Sequence, residues 1–254
     1  QIDGRDNNDD TVGGLLQLFP LEAIQEFNFV TSRAKAENGR SNGGVMNIVT
    51  KSGTNQMRGS WFTNFRDESL NSKTMTEKVN NVGKQPYKRY QYGGSFGGPV
   101  VQNRAHFFVA AERTQQDTQQ AVTTLGLVPT QDGVYPTPNR ENLITGKVSS
   151  NITPNQLVAV RYGRNTNSQV YSAEPRRVPE NWGDSANTFN SINLNHNWVL
   201  GGSKLNEFIF QYADFENHID GRTTAPQQGF PNGVTTGYNT NTPQSTTQHK
   251  YQFR

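Results

Sequence analysis

The residues with the plainest chemical reading are Gly93-Gly94-Ser95-Phe96-Gly97, which match the G-x-S-x-G pattern of a serine nucleophile. That pattern works only where a strand turns sharply into a helix and lifts the hydroxyl toward a histidine base. Here Gly98-Pro99 follows, and then a second alternating segment. The four histidines, His106, His196, His218 and His249, are scattered over different segments. Gly93–Gly97 is therefore read as a glycine-rich strand end where a sheet bends. Asp6-Asn7-Asn8-Asp9-Asp10 suggests calcium, but a calcium-binding loop wants Gly at its sixth position and Glu at its twelfth. Counting from Asp6 gives Thr11 and Gln17. A solvated acidic turn accounts for it better, and a loose oxygen-ligand site stays open. With no cysteine, disulfides, thiolate metal sites and cysteine nucleophiles are excluded. No catalytic residue, no metal site and no cofactor are expected, and the chain does not read as an enzyme.

The elements that must position any functional residue are strands. The 254 residues are only 31% apolar, and the mean hydropathy is −0.81. That is low for a soluble globule. Aromatics at 10% and a net charge of +3 argue against wholesale disorder. No apolar run is long enough for a transmembrane helix, which leaves barrel strands open because their hydropathy signal is weak. Basic residues are spread singly, without the dense stripe of a nucleic-acid binder, so no nucleic-acid partner is expected.

Ile24–Val30 alternates and Val45–Thr50 is a short apolar strand; with a helical turn at Pro20–Ile24 they suggest part of a small mixed domain. From Arg58 the pattern becomes hairpins. Arg58–Arg66 shows Trp61, Thr63 and Phe65 on one face. Tyr87–Gly97 shows Tyr90, Tyr92 and Phe96 on one face, with Arg89, Gln91 and Ser95 on the other. Gly98–Asn103 reads as a tight connection. Arg104–Arg113 puts Phe107 and Val109 against His106 and Glu112. Leu143–Ser150 puts Ile144 and Val148 against Thr145 and Lys147, and Gln156–Arg164 puts Val160 and Tyr162 against Arg161. Asn187–Val199 sets Ile192, Leu194 and Trp198 against Asn193, Asn195 and Asn197. Lys204–Asp214 sets Phe208, Phe210 and Tyr212 against Glu207 and Gln211, and Gln248–Arg254 opens an eighth strand. Residues 67–86, 114–142, 165–186 and 215–247 read as long polar loops; the turns near 98–103, 151–155 and 200–203 are short. Strands of about 9–11 residues, with short connections on one side and long ones on the other, describe a transmembrane barrel. A soluble β-sandwich is the alternative, but it would leave the Phe/Tyr faces as large exposed patches.

The stretch PLEAIQEFNFVTSRAKAENGRSNGGVMNIVTKSGTNQMRGS, followed by Leu70-Asn71, YGGSFGGPV at Tyr92–Val100 and HFFVAAER at His106–Arg113, resembles TonB-dependent outer-membrane receptors at the junction of plug and barrel. Its features Gly39, Arg40, Gly43, Gly44, Asn47, Thr50, Lys51 and Gly53, with DGRDNND at Asp3–Asp9, resemble the Oar-like subgroup. The dense resemblance covers roughly residues 1–113; beyond that only the hairpin rhythm carries it. The RGP tract common in the wider family is replaced by VTSRAKAENGR. The resemblance implies a mainly β fold: the C-terminal part of a small α+β plug in residues 1–55, then seven or eight strands of an antiparallel barrel in 56–254. A whole barrel would have about 22 strands. It also implies the bacterial outer membrane, lipid around the wall, an unknown bulky solute, and a TonB-type energy-coupling protein reached through a segment outside this chain. The chain is read as an internal piece of a longer protein.

The inward residues Arg89, Gln91, Lys147, Arg161, Glu207 and Gln211 are the candidates for touching plug or solute, since lumen positions tune selectivity. A passive porin-like channel and a surface binding or adhesion module are the rival readings.

Overall fold

The alternation that marks Val148, Val160 and Leu194 as one face is realised as a ladder. In the computed structural model, which describes residues 1–8, 14–31, 44–73, 75–79 and 83–253, the strands are β1 (Ile24–Val30), β2 (Val45–Thr50), β3 (Arg58–Asp67), β4 (Tyr87–Val101), β5 (Ala105–Val122), β6 (Gly133–Pro136), β7 (Asn139–Thr153), β8 (Gln156–Tyr171), β9 (Gly183–Leu200), β10 (Lys204–Gly221), β11 (Gln228–Gly229), β12 (Thr235–Thr236) and β13 (Gln244–Phe253). A short helix, α1 (Met75–Val79), lies between β3 and β4. One antiparallel sheet runs β13-β10-β9-β8-β7-β5-β4-β3, with β6 added to the far end of β5; β1 pairs with β2 and β11 with β12. β3 and β13 end the path, so the large sheet is open.

Because successive residues of a strand face opposite ways, each line of paired residues across the sheet belongs to one face. One such line is Phe107–Val148–Val160–Leu194–Phe210–Phe253, apolar throughout. Tyr162, Ile192, Tyr212 and Tyr251 form the next line on this outer face, and Tyr212 packs on Tyr251 at 5.1 Å between ring centroids. Beyond it comes a polar line of Arg164, Asn190, Asp214 and His249. An apolar band edged by tyrosines is the surface a barrel turns to lipid.

The inner face is wet in composition yet covered. It carries the described residues up to Ala23 and the flank of the β1–β2 ladder. Val45 lies opposite Val30, and Thr50 opposite Ile24. Ile2 bridges to Ile48. Where this N-terminal unit rests, the wall is trimmed to small side chains. Ser95, Ala110, Thr145, Gly163, Ser191 and Ala213 form one line across six strands. Ala23 packs there on Phe108 and Ala110. Leu16 packs on Phe189 and Ala213, with Phe215 beside them.

Two features differ from the sequence reading. The hairpins are longer: β5 runs on to Val122, β8 to Tyr171 and β10 to Gly221, so strands of 15–18 residues replace the expected 9–11. The segments 114–142, 165–186 and 215–247 are therefore only partly loop. Above the tyrosine line the outer face turns polar and the inner face keeps only scattered apolar residues such as Leu143, Phe189 and Phe215, so the alternation fades while backbone pairing continues. Gly98–Asn103 is likewise not all turn. β4 continues through Pro99 to Val101, and the reversal is Gln102–Arg104. β3 pairs with β4 only as far as Gly97, so beyond it a proline without an N–H leaves no bond to β3 unmade. The G-x-S-x-G segment lies in a strand as expected, but inside β4 rather than at its end, because the strand runs on to Val101.

Candidate functional site

The seat of the N-terminal unit is built by the middle of β5, β7, β8, β9 and β10. Its centre is Asp3, whose side chain is 8% exposed. Asp3 Oδ1 accepts from Thr50 N at 2.9 Å and Oδ2 from Thr50 Oγ1 at 2.8 Å. Arg161 Nη1 stands 2.9 Å from Asp3 Oδ2. The guanidinium N–H is not aimed at that oxygen, so this is an ion pair rather than an aligned hydrogen bond. Lys147 Nζ lies 4.0 Å from Asp3 Oδ1 and donates to Thr50 O at 3.2 Å. With its amide turned to suit its neighbours, Asn193 accepts from Arg161 Nη2 at 2.9 Å and donates to Gln211 Oε1 at 3.3 Å. The Phe19 ring lies over Arg161, 4.8 Å from its Cζ. Two buried cations thus close on one buried carboxylate, with amides and an aromatic face taking up the rest.

Further anchors surround this node. Arg5 donates to Leu194 O at 2.9 Å and to Asn195 Oδ1. Burial pushes its guanidinium down to about 10 and nearby Arg161 adds to that, while Asp3 and Glu207 oppose it; it stays charged at neutral pH. Lys250 Nζ donates to Asp6 Oδ2 at 2.6 Å. Ser191 Oγ donates to Gln17 Oε1 at 2.8 Å. Gln91 Nε2 donates to Glu112 Oε1 at 2.6 Å, and Glu112 Oε2 accepts from Leu21 N at 3.3 Å. Ser60 Oγ reaches Glu22 at 2.7 Å.

The candidates from sequence therefore divide. Lys147 and Arg161 touch the N-terminal unit directly. Gln91 acts through Glu112, and Gln211 through Asn193. Glu207 lies toward the short-turn end, in the field of Arg5. Arg89 lies beyond the seat on the long-loop side, opposite Gln116 and Arg66, and its buried Nε has no hydrogen-bond partner among the described residues. Of the junction residues, Gly39, Arg40 and Gly43 lie outside the described residues. Gly44 begins β2's approach with φ +146°. Asn47 sits opposite Asn28. Lys51 N donates to Ala23 O at 2.8 Å, and its ammonium is 3.8 Å from Glu22. Gly53 passes so close to the wall that a Cβ would stand 2.1 Å from the Phe107 carbonyl oxygen and 2.8 Å from that of Gly98. Sequence reasoning missed Asp3, Arg5 and Gln17. Their partners on the wall are 144 to 190 positions away, and no local periodicity signals them.

Comparison with known proteins agrees with this geometry. Residues 49–135 match the family described as outer membrane beta barrel domain. The chain is 32% identical over 118 residues to the TonB-dependent transporter Oar of Myxococcus xanthus, covering 42% of this chain and 10% of that one. In fold it resembles the outer membrane transporter YddB of Escherichia coli, with a TM-score of 0.71 and 14% identity over 99% of this chain and 36% of that one. It also resembles the siderophore receptor PirA of Acinetobacter baumannii, with a TM-score of 0.62 and 15% identity over 95% of this chain and 33% of that one. A mutant of the ferric enterobactin receptor PfeA of Pseudomonas aeruginosa gives a TM-score of 0.62 at 14% identity, over 99% and 36%. The large sheet thus has the fold of part of an outer-membrane β-barrel. More narrowly, the chain is similar to the Oar-like members of the TonB-dependent transporters. It spans a tenth of the curated relative and about a third of the solved structures.

Proposed function

We propose that this chain serves energy-coupled uptake of a bulky solute across the outer membrane, with residues 1–55 as the end of the plug and 56–254 as the first part of the wall. The observation that carries the reading is the seat. A polar, ion-paired interface of small wall residues is what a removable part needs, because its groups can be rehydrated when it leaves. In this reading the long-loop end faces outward and the turns at 102–104, 154–155 and 201–203 face the periplasm. The protein pulling on the plug is of TonB type, acting through a segment outside this chain. Arg161, Lys147, Gln91 and Gln211 then hold the plug, and Arg89 is the candidate left facing the incoming solute.

The test is a lock. The chain has no native cysteine, so Gln17→Cys with Ser191→Cys in the full-length protein places the new pair in this chain where those side chains now meet. In cells that depend on the receptor for growth, oxidation should stop uptake and a reductant restore it. Full uptake by the oxidised, cross-linked protein would refute a moving plug. Uptake that survives loss of the coupling protein would favour the passive channel.

A further inference from the structure

We propose that the inner wall just beyond the seat, on the long-loop side, is a binding surface for a neutral oligosaccharide. This rests on the transport reading and supplies its missing solute class. Directly paired residues form an unbroken polar line there: Gln91, Thr114, Glu141, Asn167, Asn187 and Asn217. All lie on the inner face, two residues further along each strand than the Leu16–Phe189 contact. Three of them are asparagines on neighbouring strands, bonded in series. Asn217 Nδ2 donates to Asn187 Oδ1 at 2.5 Å, and Asn187 Nδ2 donates to Asn167 Oδ1 at 2.8 Å. After these bonds the amides still hold spare N–H groups and lone pairs. The series holds them in place, so little side-chain freedom is left to lose on binding.

The chemistry offered is specific. A sugar hydroxyl both donates and accepts, and an amide does the same. Amides repeated at the strand spacing of about 4.8 Å present such a partner again and again along a chain of sugar rings. A metal chelate of high negative charge is the wrong guest, because Glu141 and Glu112 face it and Arg89 is the cation between. A peptide would want apolar pockets for its side chains, and this line has none. Farther out, a cavity of about 200 Å³ is lined by Tyr87, Pro86, Pro136 and Pro138 with Thr118, Gln119 and the charged Glu68, Lys88 and Asp117. It offers an aromatic edge and apolar ring faces beside hydroxyl partners, at the scale of one sugar ring.

The experiment is calorimetric titration of the full-length receptor in detergent with cellohexaose, xylohexaose and maltohexaose, alongside hexaglycine and a ferric tris-catecholate. At least one hexasaccharide should bind. Asn187→Leu and Asn167→Leu, each checked for a folded, heat-modifiable barrel, should weaken it about ten-fold or more, as expected when a hydrogen-bonding group is removed from a site. Asn142→Leu, on the outer face, should leave it unchanged. No hexasaccharide binding, or equal binding by the folded Asn187 and Asn167 variants, would overturn the site. Binding of hexaglycine or the ferric chelate instead, weakened by the same substitutions, would overturn the sugar assignment. Hexasaccharide binding combined with uptake that needs no energy coupling would refute the transport reading and leave this surface standing.

Discussion

Two lines of residues one position apart run across the same strands. Phe107–Val148–Val160–Leu194–Phe210–Phe253 faces out, and Phe108–Lys147–Arg161–Asn193–Gln211–Gln252 faces in. They share a backbone ladder and differ only in side. Yet Val160 is 39% exposed while Arg161 is 4% exposed. In a water-soluble protein that would be the wrong way round. The outer line fits a surface turned to lipid. The inner line is buried by a polar partner that it holds by ion pairs and hydrogen bonds.

The sharpest way to break this comparison is to alter each member of the adjacent pair. Arg161→Ala leaves Asp3 buried beside Lys147 alone, so it should destabilise the full-length receptor by about 3–5 kcal/mol, the usual cost of orphaning one partner of a buried pair. Arg161→Met combined with Asp3→Asn should recover much of that loss. Thermal unfolding followed by heat-modifiability on gels reads both. A cost of Arg161→Ala below about 1 kcal/mol would mean the seat is not closed in the way described. Next door, Val160→Arg should cost about 2–4 kcal/mol if that line lies near the bilayer midplane. A neutral outcome would place it in water.

A smaller effect sharpens the contrast by volume instead of charge. Ala110 is buried under Ala23, and Ala111 faces out. Ala110→Leu overfills the seat and should cost about 1–3 kcal/mol, and it should slow disulfide formation between cysteines placed at 17 and 191. Ala111→Leu should stay within about 0.5 kcal/mol. Equal effects at the two positions would erase the distinction between faces.

What could be read from the residues follows the same division. β2 spans the expected Val45–Thr50 and β3 extends only one residue past the expected Arg66, because their patterns are local. The outer faces named from Tyr90 to Tyr212 follow from period two, since lipid tolerates only apolar groups there. The upper hairpins did not show, because Gln115–Gln120 or Asn165–Gln169 are polar on both sides and a ladder without a lipid face has no sequence rhythm. Nor did the seat. Arg161 and Lys147 could be placed inside, but Asp3 is their partner only through the path of the whole chain. Phe108 and Ala110 looked like any residues of an alternating strand until Ala23 came to lie on them.

The smallest effect is expected at the rim, where an ion pair of the same chemistry stands in water. Arg222 Nη2 is 2.5 Å from Asp184 Oδ1, closer than Arg161 is to Asp3, but Asp184 is 60% exposed. The loops around it are held by other means. Trp182 is buried, as are Val178 and Val234; it meets the Tyr135 ring at 6.0 Å and donates its Nε1–H to Arg177 O at 3.0 Å. Asn181 ties in the far loop by donating to Gly237 O at 2.9 Å. Arg222 also keeps a contact with the Trp182 ring, 5.6 Å from Cζ to centroid, that does not depend on Asp184. Asp184→Asn should therefore cost under about 1 kcal/mol, and that cost should shrink further as salt is raised. Measured beside Arg161→Ala in the same receptor and buffer, it separates distance from burial as the source of ion-pair strength. If the shorter, wetter pair proved the costlier to break, then contact distance, and not the exclusion of water at the seat, would govern these interactions.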